Sequence, residues 1–392
     1  MKIVHLAPSA IYNENWGFQE NLLPKYNVKD DNDVVLITNT FTRIDKCKTA
    51  IASCDYISDD GFRVIRIPYN SYYGCKRLEN IFCKLDVSDL LDSILPDVVF
   101  FHGLQSLTML DVIVYKKKQS RKGHAVKIIQ DNHADDNNSI SVDAKDFKYR
   151  LLRFCYRLFN KQTQKYVEKV YGVTPCRKSY AEEFYGIKPN KTDVLMMGAD
   201  DEKLDFIHKK EIRNKIRQEN NIEEDDFLIV TGGKIDSKKN IHMLMKAVEG
   251  LKNVKLLIFG SVDNSMLDEF KVLMDNKNIS YVGWVASDKV YDYYFAADLV
   301  CFPGTHSVLW EQACASKIPC LFKKWNGMQH VDVGGNAGFI EDVSVESIKS
   351  NLEELVFTPK YYDMLAVAES TATDAFLYSK IAEKSLECVK EK

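Results

Sequence analysis

Short apolar runs separated by longer stretches of mixed polarity run through the whole chain, and this spacing predicts strands alternating with helices. In the first half the runs fall at 2–8, 34–38, 62–67, 98–101, 126–130, 167–174 and 193–197. Apolar residues at helical spacing occupy 18–26, between the first two runs. In the second half strands are expected at 227–230, 254–260, 281–282 and 299–302, with helices at 241–251 and 290–297. Runs rich in Val, Ile and Leu without polar alternation predict parallel strands covered on both faces. The fold class expected is therefore α/β with doubly wound sheets. Charged residues dominate 200–226, which marks the expected joint between two domains.

Length supports that division, since 392 residues exceed what one core usually serves. A hydrophobic content of 45% and an aromatic content of 11% fit well-packed globular domains. The formal net charge of −3 offers no general attraction to nucleic acid. Ten cysteines are scattered without a Cys-x-x-Cys pair, which reads as reduced thiols rather than a disulfide framework or zinc site. The chain opens directly on a strand, so no signal peptide is expected, and no apolar run reaches about 18 residues. A cytoplasmic protein is expected, peripheral at most to the inner face of the plasma membrane.

Two stretches carry candidate chemistry in the second half. From Val300 to Phe322 an apolar strand gives way to the small-residue loop Gly304-Thr305-His306-Ser307 and then a helix holding Trp310, Glu311 and Ala313. A helix start suits phosphate oxygens, and Glu311 offers two acceptor oxygens for a ribose diol. A solvated glutamate on a helix reads equally well from these residues alone. The second stretch, Thr231-Gly232-Gly233-Lys234-Ile235-Asp236-Ser237-Lys238-Lys239-Asn240, joins a strand to a helix and places two cations near a helix start. It lacks the Gly-Lys-Ser/Thr ending of a Walker loop. A solvated lysine-rich turn is the plain alternative.

The spacing from Gly233-Lys234 to Lys239-Asn240 resembles the Gly-Arg…Lys-Gly loop of retaining GT-B glycosyltransferases of family 4, the group 1 glycosyl transferases, with Lys234 where Arg is usual. Glu311-Gln312-Ala313 followed by Ile318-Pro319 resembles the family's Glu-Ala…Gly-Leu-Pro segment. The likeness continues through 2–8, 16–23, 131–136, 194–200 and 259–284. It implies a GT-B fold of two Rossmann-like domains facing across a cleft. Residues 1–199 would form the acceptor domain, with a C-terminal helix at 375–392 packing back on it, and 200–374 the nucleotide-sugar donor domain.

The resemblance also implies roles. Lys234 and Lys239 would hold the donor diphosphate and Glu311 the ribose, while His133 would lie against the donor sugar. Catalysis is thus expected of His133, Lys234 and Lys239. Gly17, Gly233, Ser261, Trp284, Val285, His306, Ser307, Val308 and Leu309 are further donor-side candidates, and Trp16 and Asp135 acceptor-side ones. Trp284 reads equally as a core aromatic, and Gly17 as a plain glycine at a helix start. The family implies sugar transfer with retention, no bound metal and no cofactor. A glycan or lipid-linked acceptor in bacterial surface polysaccharide synthesis is the expectation. A sugar-nucleotide epimerase of the same fold and a non-catalytic nucleotide-sugar binding protein are the rivals. One departure stands out: the acid that the family carries eight residues before Glu311 is Pro303 here, leaving His306 as the nearest polar candidate.

Two features of the first half complete the picture. The cluster Asp131-Asn132-His133-Ala134-Asp135-Asp136-Asn137-Asn138-Ser139 follows a strand, where ligands of open parallel sheets bind. It reads as a metal site on Asp131, His133 and Asp135, as a plain turn, or as the sugar-facing His133 of the family. Between 148 and 170, Arg150, Arg153, Arg157, Lys161, Lys165 and Lys169 form a basic stripe at helical spacing. Tyr149, Leu152, Tyr156, Phe159, Tyr166 and Val170 form an apolar face that Leu151, Phe154 and Leu158 extend. This segment is expected either to close a core with a solvated basic edge or to dock on an anionic membrane.

Overall fold

The computed structural model of the chain describes residues 1–44, 47–70 and 83–390. Its backbone separates into two units, Met1–Met196 with Ile381–Lys392, and Met197–Lys380. Nine described cysteines are free thiols, and Cys75 lies outside the described residues.

The first unit is built on β1 (Lys2–Ala7), β2 (Asp33–Thr38), β3 (Phe41–Ile44), β4 (Cys47–Ala50), β5 (Cys54–Ile57), β6 (Arg63–Arg66), β7 (Val98–His102), β8 (Lys127–Asn132), β9 (Lys169–Gly172) and β10 (Thr192–Val194). Its main sheet runs β10-β9-β8-β7-β1-β2-β6-β5, parallel throughout except for the antiparallel β5–β6 edge. From β1 the chain moves outward through β2 and then returns to start again at β7, so the order reverses between β1 and β7. Loops beyond the carboxyl ends of these strands form the crevice where open α/β sheets bind ligands. Val4, Leu6, Val35, Ile37, Val99, Phe101 and Ile128 fill the core between sheet and helices. The C-terminal segment joins this unit, and Tyr171 donates its hydroxyl to the Lys384 carbonyl at 3.2 Å.

The second unit holds β11 (Phe227–Ile235), β12 (Val254–Val262), β13 (Ile279–Tyr281), β14 (Leu299–Phe302), β15 (Cys320–Lys323) and β16 (Ala337–Ile340). They form one parallel sheet in the order β13-β12-β11-β14-β15-β16, which reverses between β11 and β14. Ile229, Leu256, Ile258, Leu299, Cys301 and Leu321 are buried in its core.

Three elements differ from the sequence expectation. β11 runs on to Ile235, so Gly232, Gly233 and Lys234 belong to a strand and not to a loop. The glycines allow this because β11 and β12 approach closely there, Gly233 pairing with Gly260. The basic stripe of 148–170 is not one helix: the helix Phe147–Thr163 ends before a 3-10 turn, and Lys169 begins β9. Leu151, Phe154 and Leu158 do not extend its buried face but stand exposed. The edge strands β3, β4 and β5 were not expected, being only four residues each and half exposed.

At Gly260 φ is +122°, and a Cβ would lie 1.9 Å from the Gly233 carbonyl oxygen. Gly260→Ala should therefore destabilise the second unit by about 3 kcal/mol, seen as an earlier thermal transition. An unchanged melting profile would show that the close β11–β12 contact is not rigid.

Candidate functional site

The turn after β11 and the loop after β14 emerge side by side at the reversal of the second sheet. Asp236 shapes the turn by accepting from the Lys238 and Lys239 amides at 3.0 and 3.1 Å. Asn240 then adopts φ +53°, a left-handed conformation that asparagine tolerates, before the helix Ile241–Ala247. The turn is stitched to the β14 loop from several atoms. Thr305 donates its amide to the Lys238 carbonyl at 3.1 Å, and Asn240 donates from Nδ2 to the Pro303 carbonyl at 3.1 Å. Lys239 donates from Nζ to the Thr305 and His306 carbonyls at 2.6 and 3.3 Å. Gly304 presses on the Lys239 backbone so closely that a Cβ would meet its Cα at 2.3 Å. Burial pushes the Lys239 ammonium down to about 8, with a smaller opposing pull from Asp236.

Glu311 lies on the seven-residue helix Leu309–Ala315 behind that loop. Trp310 anchors the helix, stacked on Phe322 with ring centroids 4.4 Å apart. The Glu311 side chain is fully buried, and its Oε1 accepts from His306 Nε2 and His330 Nε2, each at 2.8 Å. Burial works to raise this carboxyl, yet the two imidazoles outweigh it and hold the group well below the ordinary carboxylate range. Among the described residues Oε2 has no hydrogen-bond partner.

Lys234 is placed differently from Lys239. It is exposed in β11 next to Ser261 in the β12 register, and its Nζ lies 3.1 Å from Asp263 and 3.4 Å from Asp236. Those two carboxylates raise its ammonium above the usual value. Asp236 thus links the two lysines, facing Lys234 with one oxygen and capping the Lys239 turn with the other. Leu309 packs against Gly233, since a Cβ there would meet Leu309 Cδ1 at 3.0 Å. Ser307, Val308 and Val285 are half-buried, and Ser307 accepts from the Trp310 amide at 3.0 Å. Trp284 is not a core aromatic: it is 72% exposed, beside Gly283, whose carbonyl accepts from the Gly260 amide at 2.6 Å.

In the first unit the chemistry gathers at the ends of β1, β7 and β8. Asp131 is buried at the end of β8, where Oδ2 accepts from His102 Nδ1 at 2.7 Å and His133 Nε2 at 3.3 Å, and Oδ1 from the Gly103 amide at 3.0 Å. The far side of His102 faces His5 Nδ1 at 3.2 Å, and His5 Nε2 lies 2.9 Å from Asn27 Oδ1. Burial, with the neighbouring His102, drives His5 down to about 3, so it is neutral near pH 7. Burial also lowers His133, but Asp131, helped by Glu20, raises it overall. Asp131 itself is pulled below the ordinary carboxylate range by His102 and His133 against the upward effect of burial.

His133 lines a cavity of about 400 Å³ with Glu20, Gln105, Asn138 and Ser139. A second cavity of about 440 Å³ shares Ala10 and Glu20 with it and is bordered by Trp16 and Arg43. Gly17 precedes the helix Gln19–Lys29 at this rim and is half-buried. Asp135 turns elsewhere: it pairs with Arg177 Nε at 3.0 Å and accepts from the Asn137 and Asn138 amides, which closes the loop. Asp131, His133 and Asp135 therefore do not converge as a metal triad. Two other sets place donor atoms within 4.8 Å of one another, Glu20 with His102 and His133, and His306 with Glu311 and His330. Of these, Glu20, His102 and His330 were not singled out from the sequence, nor were His5 and Asp236 beside the two sites. His330 carries no local signal, standing 19 residues beyond Glu311 in a 3-10 turn.

Residues 212–368 match the family described as Glycosyl transferases group 1. The match falls within the second unit and spans most of it. A Salmonella typhimurium lipopolysaccharide 1,2-N-acetylglucosaminetransferase is 24% identical over 202 residues, a match taking in 47% of this chain and 53% of that protein. The chain thus aligns with about half the length of this curated relative. Among solved structures, a Rickettsia africae glycosyltransferase superposes with a TM-score of 0.69 at 15% identity, covering 100% of this chain and 99% of that one. The Anabaena protein Alr3699/HepE, crystallised with UDP and glucose, gives a TM-score of 0.64 at 13% identity and covers both chains fully. Such likeness establishes the GT-B fold. Lys239 and Glu311 both lie within the matched residues.

Asp131 supports three donors, so Asp131→Ala should leave His102 buried beside an empty acceptor site. A loss of about 3–5 kcal/mol is expected, read as destabilisation of the first unit in thermal unfolding. A shift near zero would mean that the histidines repartner without it.

Proposed function

We propose that the chain transfers a sugar from a nucleoside diphosphate sugar to a hydroxyl of a glycan or lipid-linked acceptor, with retention of configuration. The observation that carries this reading is the joining of Lys239 to the Glu311 loop at the sheet reversal, inside the segment matched to group 1 glycosyl transferases. A part-buried ammonium and a buried carboxylate with a spare oxygen suit the two ends of a nucleoside diphosphate, phosphate at the cation and ribose hydroxyl at the acid. Lys239 would stabilise charge on the departing diphosphate as the anomeric C–O bond breaks. The acceptor oxygen would bond to the same face of that carbon, its proton leaving on the released phosphate oxygen. No metal or cofactor is invoked. Lys234, already paired with two carboxylates, would contribute less than Lys239.

The polar cavity around His133 and Glu20 suits a sugar bearing several hydroxyls, and we assign the acceptor to the first unit. The Salmonella relative acts in lipopolysaccharide synthesis by its name, and a bacterial surface glycan is the corresponding acceptor class. UDP-sugars are the first donors to test, given the UDP and glucose bound in the Anabaena structure.

Turnover of UDP-glucose, UDP-N-acetylglucosamine, GDP-mannose and ADP-glucose should be followed by nucleotide release, with and without glycan acceptors. Lys239→Ala should lower turnover by roughly 10²–10³-fold. The pH dependence has a definite sign. Lys239 is an ammonium below about pH 8 and an amine above it, so binding of the diphosphate should weaken as pH rises through that value. In Lys239→Ala this decline should vanish. Wild-type-like turnover in that variant, or an isomerised sugar formed without acceptor, would count against the transferase reading.

We further propose that the enzyme reaches its acceptor at an anionic membrane through the helix Phe147–Thr163. No helix among the described residues is long and apolar enough to cross a membrane. This one instead exposes Phe147, Leu151, Phe154 and Leu158 at 78, 51, 62 and 52% along a single face. Arg153 and Arg157 are tied to backbone carbonyls, whereas Lys148, Arg150, Lys161 and Lys165 are exposed around the stripe. An apolar face flanked by basic residues matches the boundary of an anionic bilayer. In sedimentation with vesicles, phosphatidylglycerol should promote binding over phosphatidylcholine alone, and the double variant Leu151→Asp/Phe154→Asp should abolish it. Equal recovery of both proteins with the vesicles would remove this surface from consideration.

A further inference from the structure

His330 has no part in the function described so far, yet it makes one of the two hydrogen bonds to Glu311, the buried acid of the helix that follows β14. Its ring lies 5.9 Å from that of His306, and both rings are almost wholly buried. Each imidazole presents Nε2 to the same oxygen of Glu311. A carboxylate oxygen accepts two such donors with its two lone pairs, and Oε1 is then saturated. The carboxylate plane is fixed by two donors arriving from separate segments, one on the β14 loop and one in the Gln329–Val331 turn. What remains is Oε2, buried and without a partner among the described residues. Both Nδ1 atoms are likewise without partners.

A metal ion is the other reading of two histidines and a glutamate. Metal-bound histidines almost always donate their second ring N–H to a carboxylate, a carbonyl or water, and neither Nδ1 here has a protein acceptor. The hydrogen-bonded clamp is the arrangement this geometry favours.

We propose that His306 and His330 together clamp Glu311 through Oε1, committing Oε2 alone to a ribose hydroxyl of the bound nucleoside diphosphate. This rests on the nucleotide reading above and adds to it a positioning residue, His330, that acts only through Glu311.

The test is a coupling measurement on the full chain by calorimetry. UDP, ADP and GDP are each compared with their 2′,3′-dideoxy forms on wild type, His330→Ala, His330→Gln and Glu311→Gln. Wild type should prefer the ribose form of the nucleotide it binds by at least tenfold. His330→Ala should lose most of that preference while its affinity for the dideoxy form stays within about twofold. His330→Gln keeps an amide donor near the Nε2 position and should recover the preference, which also guards against a variant that merely misfolds. Glu311→Gln should lose it as His330→Ala does. Parallel weakening of both forms in His330→Ala, or an unchanged ratio, would overturn the clamp while leaving nucleotide binding intact. Failure of wild type to bind any of the three diphosphates would instead remove the nucleotide reading and the clamp with it.

Discussion

A lysine ammonium held on two loop carbonyls organises the second unit. Lys239 reaches from the β11 turn to Thr305 and His306, and the loop in turn brings His306 to Glu311. Carbonyl dipoles satisfy the donors of an ammonium but do not neutralise its charge. Burial accordingly lowers it from 10.5 to about 8, a cost of about 3 kcal/mol for keeping the proton. An anion placed against Lys239 would recover that cost, because it supplies the countercharge the protein withholds. Lys234 shows the opposite case. Two carboxylates already answer its charge, so an incoming phosphate must compete with them. Equal spacing to a family motif does not make the two cations equal in effect.

The same constraint explains why the site sits where it does. The strand order reverses between β11 and β14, and in open α/β sheets such a reversal is where ligands bind beyond the strand ends. Gly304 fits against the Lys239 backbone only because it has no side chain, and Gly233 gives Leu309 room on the other side. Close packing of main chain on main chain lets short side chains and carbonyls reach across. The loop is thereby ordered before any ligand arrives, which spares binding the entropy of ordering it.

Much of this was legible in the sequence. Apolar runs located the central strands of both sheets because strands buried on both faces carry no competing polar signal. Lys239 and Glu311 were picked out by the spacing of the motif the chain resembles, and His306 as the polar residue nearest Pro303. Other features depend on partners distant in the chain. Gly232 and Gly233 looked like a loop, and only the facing Gly260 in β12 shows why a strand continues through them. The helical wheel of 148–170 ran past the helix end at Thr163 and counted Leu151, Phe154 and Leu158 with the apolar face. Packing divided that face: Leu152, Tyr156 and Phe159 went in, and Leu151, Phe154 and Leu158 stayed out. His330 was invisible because its meaning comes wholly from a contact 19 residues away across a turn.

The two units repeat one electrostatic device with a different outcome. In each, a fully buried carboxylate at the strand-end crevice is held ionised by two histidines, Asp131 by His102 and His133, Glu311 by His306 and His330. The difference lies in the second oxygen. Asp131 spends a lone pair of Oδ1 on the Gly103 amide, so each of its oxygens already holds a donor from the protein. Glu311 leaves Oε2 without a donor. A buried carboxylate oxygen left unpaired costs about 1–3 kcal/mol, and a fold keeps such a loss where a ligand makes it good. Counting the donors on each oxygen therefore separates the two acids: Asp131 has a donor on both oxygens, whereas Glu311 keeps one oxygen open, as the proposed ribose contact requires.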